Sequence, residues 1–372
     1  MDIATRQKRL PALDGFRIVC AFFVFLFHST PLVDYSFFGP FLSASAIFMD
    51  AFFLLSGFSL CCGYADKNLE TPEEILSFYK RRIVKLYPAY FVVMSVWFLV
   101  HCLVLRQFPL FKSLLIAPVE ILLLQSFFPK SEFVVHNTGT WFVSVIALCY
   151  FLFPLIKKIA GGIKLKTTFF LMAILYCLCS GMPFFTHAFG IDAMYFNPFF
   201  RFLEFSLGVL LGRCFLMTDA RASCLKSFFA LLFSFAVLFV FVTLYTMKGL
   251  PNLWYLQFCF ISLPVFCLQI FLLAGLDNEK LHNFFSIKAV KFFTALTYEF
   301  FLAQHFCFDI TRWLLSENVQ KEQGIQYNCI VFVCSFLICL LVSLAIHWGA
   351  LLVRKIGDSI SAAVKGAGLA RR

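Results

Sequence analysis

The feature that most constrains this chain is a series of apolar runs of about 18 to 25 residues, each long enough to cross a bilayer's hydrocarbon core of roughly 30 Å. Because lipid offers the backbone no hydrogen-bond partner, each run must satisfy its own peptide groups, as a helix does. The fold class predicted is therefore all-α, a polytopic membrane helix bundle. The ten predicted spans lie near 13–33, 39–64, 87–105, 139–157, 168–187, 198–216, 227–247, 253–275, 290–311 and 328–353.

The charge composition favours a membrane protein over a nucleic-acid-binding one. Only 14% of the residues are charged, whereas a soluble domain carries about a quarter. The net charge is +11, but the basic residues collect in short loops as the positive-inside rule describes. We therefore expect membrane lipids as neighbours and no nucleic acid. The 15 cysteines lie mostly inside apolar runs without metal-ligand spacing, so no metal site is expected.

An eleventh apolar segment, about 113–128, is short and contains Pro118 and Glu120. If it crossed the membrane, the lysine-rich loop after the fourth span would face outside, against the positive-inside rule. If it enters and returns, that loop and most other basic residues face the cytoplasm. We therefore predict ten transmembrane helices plus one re-entrant or interfacial segment, in the inner or plasma membrane, with both termini cytoplasmic.

Ionisable residues inside the first two spans are functional candidates, because inserting each one costs a few kcal/mol. Arg17 and His28 are eleven residues apart, so they share a helix face and lie about 16 Å apart along the axis. A snorkelling arginine and a hydrogen-bonded core histidine are the structural alternative. Asp50 lies in the second span, where it could orient a histidine or satisfy a neighbouring group.

Two later spans carry further ionisable residues. Arg201 and Glu204 are three residues apart in the sixth span, so they can pair on one helix face. Glu299, His305 and Asp309 lie in the ninth span, where a purely structural polar network is the alternative to a site.

The densest basic cluster, formed by Arg81, Arg82 and Lys85, lies in segment 72–86. Pro72 and the two glutamates that follow predict the start of a cytoplasmic amphipathic helix there. One role for the cluster is anchoring to anionic lipid headgroups. The other is binding the phosphates of a coenzyme A ester, which arginine grips with parallel hydrogen bonds.

Five segments resemble, in order, motifs of the membrane-bound acyltransferase family 3, the O-acyltransferases of bacterial surface polysaccharides. They read LPALDGFRIVCAFFVFLFH, MDAFFLLSGFSL, YKRRIVKLYPAY, NPFFRFLEFSLGVLLG and LTYEFFLAQHF, the last in the form of exopolysaccharide acyltransferases. In GTWFVSVIALCYFLFPL, Ile146 and Ala147 stand where the family often has an acidic residue, so no carboxylate acts at that place. The resemblance implies an acyltransferase transmembrane domain over 13–355, between a cytoplasmic N-terminus (1–12) and a cytoplasmic basic tail (356–372).

The resemblance also implies the reaction. An acetyl or other short acyl group passes from cytoplasmic acetyl-CoA, a co-substrate rather than a tightly bound cofactor, to a hydroxyl of a polysaccharide or lipid-linked glycan. His28 is the expected general base or covalent acyl carrier. The full set is catalytic His28, Arg17 and Asp50, donor-binding Arg81, Arg82 and Lys85, and acceptor-binding Arg201, Glu204, Glu299 and His305.

A function from another class remains open at this point, namely a proton- or ion-coupled transporter of a glycan or lipid intermediate. It would use the same intramembrane charges as a relay. The sequence shows no internal inverted repeat and no matched pair of broken helices, which argues against it.

Overall fold

The computed structural model describes residues 10–100, 102, 110–128, 135–190, 194–218, 224–250, 253–276, 283–284, 287–314 and 324–369. Within these residues the chain is built from helices joined by turns and short 3-10 segments. The helices are α1 (Pro11–Ser29), α2 (Gly39–Leu42), α3 (Phe48–Gly63), α4 (Pro72–Leu99), α5 (Leu110–Ile121), α6 (Trp141–Gly161), α7 (Leu165–Ala188), α8 (Pro198–Met217), α9 (Cys224–Met247), α10 (Cys259–Ala274), α11 (Lys288–Leu314) and α12 (Gly324–Leu369).

Each of the ten predicted spans overlaps one long helix of this series. Eight helices of the described chain, α8 and α11 not among them, are long and apolar enough to cross a membrane. These other two have 20 and 27 residues, so they are also long enough, and they match the sixth and ninth predicted spans. The predicted class, an all-α polytopic membrane bundle, is confirmed.

Helix boundaries differ from the prediction at two places. The amphipathic segment predicted over 72–86 is not a separate helix, since α4 continues through Pro88 to Leu99 as one element. Its start is as predicted, and Thr71 and Glu74 cap it reciprocally: the Thr71 hydroxyl accepts from Glu74 N at 3.3 Å, and Glu74 Oε2 accepts from Thr71 N at 3.1 Å. The second predicted span is interrupted, with α2 and a 3-10 turn preceding α3.

The segment predicted not to cross the membrane contains the short helix α5. Its twelve residues rise about 18 Å, well below the roughly 30 Å of a hydrocarbon core. Two tyrosines of α4 hydrogen-bond to the C-terminal end of α5. Tyr90 donates to Glu120 O at 2.8 Å, and Tyr87 donates to Ile121 O at 3.1 Å. This length agrees with a re-entrant or interfacial segment, whose place relative to the bilayer stays a prediction.

Helices α3 and α8 pack with their backbones in contact. A Cβ atom on Gly208 would lie 2.1 Å from Leu54 O, and one on Gly57 would lie 2.1 Å from Phe205 O. Small residues at helix interfaces allow this close approach in membrane proteins. The contact brings Asp50, at the start of α3, beside the first turn of α8.

Replacing Gly208 with alanine is expected to destabilise the protein by about 1–3 kcal/mol or more, because the new methyl group meets backbone that cannot move aside alone. The measurement is thermal unfolding of the detergent-purified protein. Gly181 of α7 is the matched control, since a Cβ there meets nothing within 4 Å. Alanine at 181 should leave the midpoint unchanged or raise it, because alanine is the better helix former. Equal midpoints for the two variants would contradict the packing described.

Candidate active site

Two of the predicted site residues, His28 and His305, face each other across the α1–α11 interface. Their ring centroids lie 4.8 Å apart, with an angle of 58° between the planes. His28 occupies the last turn of α1, and both side chains are partly exposed. The structure thus brings together two imidazoles that are far apart in the sequence.

A tight turn between α5 and α6 packs against His305. A Cβ on Gly139 would lie 2.5 Å from His305 Cδ2, so only glycine allows the ring to take its place. The turn is held by Asn137, whose Oδ1 accepts from Gly139 N at 2.9 Å. Sequence reasoning did not find these two residues, because their part in the site depends on a contact with a helix far along the chain.

A buried carboxylate fixes the residue before this turn. Glu120 Oε1 accepts from His136 N at 2.8 Å, and Glu120 Oε2 lies 2.7 Å from His136 Nδ1. Glu120 is 2% exposed and His136 4%. Sequence reasoning used Glu120 only to judge whether the segment crosses the membrane. Its charge in an apolar segment was the available signal that it needed a partner.

Arg201 lies at the centre of a buried ion cluster with Asp50 and Glu204. Arg201 Nη1 donates to Asp50 Oδ1 at 2.8 Å and to Glu204 Oε1 at 2.8 Å. Arg201 Nε donates to Tyr195 O at 2.8 Å, and Ser262 Oγ donates to Asp50 Oδ2 at 2.6 Å. The cluster therefore ties together α3, α8, α10 and the turn before α8.

The cluster realises the predicted Arg201–Glu204 pairing, and it gives Asp50 the second of its two predicted roles, satisfying a neighbouring group. Asp50, Glu204 and Cys259 offer ligand atoms within 4.8 Å of one another. A cation would find that place occupied, because the Arg201 guanidinium already hydrogen-bonds to both carboxylates. The catalytic role of Asp50 and the acceptor-binding roles of Arg201 and Glu204 stay predictions. Since all three are at most 2% exposed, a structural role fits the geometry better.

The predicted donor-binding arginines, which belong to α4, gather around Tyr64 at the end of α3. The Tyr64 hydroxyl accepts from Arg81 Nε at 3.3 Å and from Arg82 Nη2 at 3.0 Å. Lys67 Nζ lies 5.0 Å from the centre of the same ring. In the described part of the chain no carboxylate lies within 4.0 Å of Arg81, Arg82 or Lys85. We call Lys67, Arg81, Arg82 and Lys85 the basic cluster.

Arg17 and Glu299 lie near the basic cluster rather than near the histidine pair. Both act electrostatically on Lys85, as does Asp14. Arg17 Nη1 is 3.3 Å from Asp14 Oδ1, and Glu299 Oε1 is 3.1 Å from His347 Nδ1. The predicted residues of α1 and α11 therefore separate into two groups. His28 and His305 form one, and Arg17 and Glu299 lie beside the basic cluster, with Arg17 about three helical turns from His28 along α1.

Comparison with known proteins decides the family. The model of acyltransferase family 3, described as an acyltransferase domain, matches residues 10–348. The chain belongs to acyltransferase family 3. Acyltransferase MdmB of Streptomyces mycarofaciens is 27% identical over 238 residues, which cover 56% of this chain and 58% of that protein. The chain thus aligns with little more than half of this curated relative.

No solved structure matches the chain. The family predicted from the five motifs is confirmed, and both comparisons name the predicted enzyme class, acyltransferase. Together with the apolar helices, the family makes this a multi-pass membrane protein. The bounds predicted for the domain and its two flanking segments stay predictions.

Proposed function

We propose that this acyltransferase moves an acetyl or other short acyl group from acyl-CoA to a hydroxyl of a cell-surface glycan, either a polysaccharide or a lipid-linked precursor. One observation carries the proposal: a pair of imidazoles lies at one end of the α1–α11 interface, and near the other end lies the basic cluster, whose Arg81, Arg82 and Lys85 have no carboxylate within 4.0 Å among the described residues. An acyl-CoA carries its thioester at one end and its phosphates at the other. It therefore requires a catalytic base and phosphate-binding cations at a distance from each other.

In this proposal His28 acts as general base. A neutral imidazole takes the proton of the acceptor hydroxyl as the oxygen attacks the thioester carbonyl. The carbon–sulfur bond then breaks, the acyl group stays on the glycan oxygen, and the proton returns to the leaving sulfur as free coenzyme A forms. His305 lies next to the reacting groups, and its ring packs against the ring of His28. Covalent transfer through His28 is the variant of this mechanism in which the imidazole itself is acylated first.

The basic cluster would bind the donor's phosphates from the cytoplasm, with Arg17 on the path toward the histidine pair. Arginine suits this task because its planar guanidinium forms two parallel hydrogen bonds to a phosphate. The proposal places the protein in the inner or plasma membrane with both termini cytoplasmic. The acyl-CoA is a co-substrate here, and no tightly bound cofactor is proposed.

A coupled transporter gains no support from the geometry. The main argument for a transporter was the set of charged residues inside the spans, and three of these, Arg201, Asp50 and Glu204, are buried in ion pairs with one another. The acyltransferase function therefore remains the one proposal.

Replacing Arg81 and Arg82 together with glutamine is expected to weaken binding of the acyl-CoA. Each lost hydrogen bond to a charged group costs about 1.5–3 kcal/mol, or roughly 10- to 150-fold in affinity. Titration of the purified protein with a non-hydrolysable acetyl-CoA analogue measures the effect. Arg213, which is not a member of the basic cluster and donates to Gly161 O at 2.9 Å, provides the control Arg213→Gln. If the double variant binds the acetyl-CoA analogue with unchanged affinity, the cluster does not bind the donor, and anchoring to lipid headgroups becomes its expected role.

Mass spectrometry of surface glycans tests the acceptor. Cells with the gene should carry acyl groups on the glycan that cells without it lack, and complementation by the wild-type gene should restore them. The same glycan pattern in both strains would overturn the proposed acceptor class. The mass added per modified hydroxyl also identifies the acyl group, since acetyl and succinyl groups differ in mass.

A further inference from the structure

The buried amide of Gln304 finds no hydrogen-bond partner in the part of the chain that the structure describes. The side chain is 0% exposed, and neither Nε2 nor Oε1 has a partner among the described residues. A buried amide left unsatisfied costs free energy, so such groups normally have a partner. Gln304 immediately precedes His305 in α11, which places this unsatisfied amide beside the histidine pair.

Contacts of its neighbours show which way Gln304 faces. Phe300 and Phe308, four residues before and after it, share its helix face. Their rings lie 5.5 and 5.2 Å from the ring of Phe25 in α1. Gln304 therefore faces α1 at about the level of Phe25, one helical turn before His28 on the side toward Arg17.

Two other buried polar residues of this face, Thr297 and Thr311, lie seven residues to either side of Gln304. Their hydroxyls donate to the backbone of their own helix, Thr297 to Thr294 O at 2.5 Å and Thr311 to Cys307 O at 2.9 Å. Neither threonine needs a further partner. Gln304 thus differs from them in offering both a donor and an acceptor to a ligand.

We propose that Gln304 is a donor-binding residue that holds an amide of the pantetheine arm of acyl-CoA, an inference that rests on the proposed function. The pantetheine arm joins the phosphates of coenzyme A to its thioester, so it must run between the basic cluster and the histidine pair. The amides of that arm each carry a carbonyl and an N–H. Gln304 Nε2 donates to a carbonyl, and Gln304 Oε1 accepts from an N–H, which satisfies both orphaned atoms.

The test replaces Gln304 with methionine, which has similar bulk but forms no comparable hydrogen bond. Initial rates of acyl transfer are measured with two small thioesters, acetyl-N-acetylcysteamine, which carries an amide, and S-propyl thioacetate, which lacks one. We expect the ratio of kcat/KM for the first donor to that for the second to fall about tenfold, the effect of one or two neutral hydrogen bonds.

A second readout separates binding from structure. Without donor, Gln304→Met should unfold at the same temperature as the wild type or higher, because it removes an unsatisfied buried group. Gln269 is the matched control, since its Nε2 donates to Ser234 Oγ at 3.1 Å in the folded protein. Gln269→Met should unfold at a lower temperature and keep the wild-type preference between the two donors.

Each result bears on the proposal. An unchanged donor ratio in Gln304→Met overturns it, and so does a loss of thermal stability like that of Gln269→Met, which would assign Gln304 a structural partner. If the wild type transfers acyl groups from neither thioester nor from acetyl-CoA, the proposed function itself fails and this inference with it. A wild type that is active with an unchanged ratio in the variant overturns the inference alone.

Discussion

Replacing His28 with alanine is expected to lower acyl transfer by about 10²- to 10⁴-fold, the usual loss when a general base is removed. The amount of protein in the membrane should remain close to normal, because the imidazole is partly exposed at the end of α1. Acyl transfer from labelled acetyl-CoA measures the effect in membranes or detergent. If His28 carries the acyl group covalently, the loss should be larger, and a labelled acyl-enzyme should be trapped in the wild type.

The glutamine variant separates proton transfer from packing. His28→Gln keeps bulk and hydrogen bonding but cannot titrate near neutral pH, so it should be as inactive as alanine. His187→Gln, at an exposed position near the end of α7, serves as the control and should keep normal activity. Near-normal transfer by His28→Gln would make His28 a structural residue. His305, whose ring lies 4.8 Å away, would then be the candidate for the base.

The largest effect on stability is expected from Arg201→Met. The substitution leaves the carboxylates of Asp50 and Glu204 buried without their shared cation, at a cost of about 3–5 kcal/mol. Thermal unfolding in detergent and the yield of monodisperse protein measure the loss. Arg312→Met is the control, since Arg312 pairs with Asp309 at 3.4 Å with both side chains about half exposed. Such a pair contributes about 0–1 kcal/mol.

Neutralising the whole cluster should recover most of the loss. In the triple variant Arg201→Met, Asp50→Asn, Glu204→Gln no charge remains to be compensated, so its unfolding temperature should lie well above that of Arg201→Met alone. A triple variant no more stable than the single one would show that the cluster acts through something other than charge balance. Retained acyl transfer in the triple variant would also remove these residues from the catalytic and acceptor-binding roles predicted for them.

What the sequence could predict here depends on whether the interaction is local. Long apolar runs predict spans because each run satisfies its own backbone, and all ten fall on helices. The pairing of Arg201 with Glu204 was predictable in the same way, because residues three apart share a helix face. The continuity of α4 through Pro88 was not, since proline is normally a helix boundary and only the packing around it shows otherwise.

Contacts between distant parts of the chain could not be predicted. Asp50 and Arg201 are 151 residues apart, and hydropathy patterns do not say which span packs against which. The face-to-face arrangement of His28 and His305 has the same origin. The Glu120–His136 pair spans only 16 residues, yet no periodic pattern encodes the contact of His136 with α5.

The distance in sequence between Asp50 and its cation has a consequence for biosynthesis. Chains emerge from the ribosome at about 5–20 residues per second, so the 151 residues between them take roughly 8–30 s to make. During that time α3 enters the bilayer with a carboxyl group that has no counter-charge. Insertion of α3 must therefore be completed or corrected after α8 arrives. A nascent chain that stops before α8 leaves this helix with an acidic group in lipid, at a cost of a few kcal/mol.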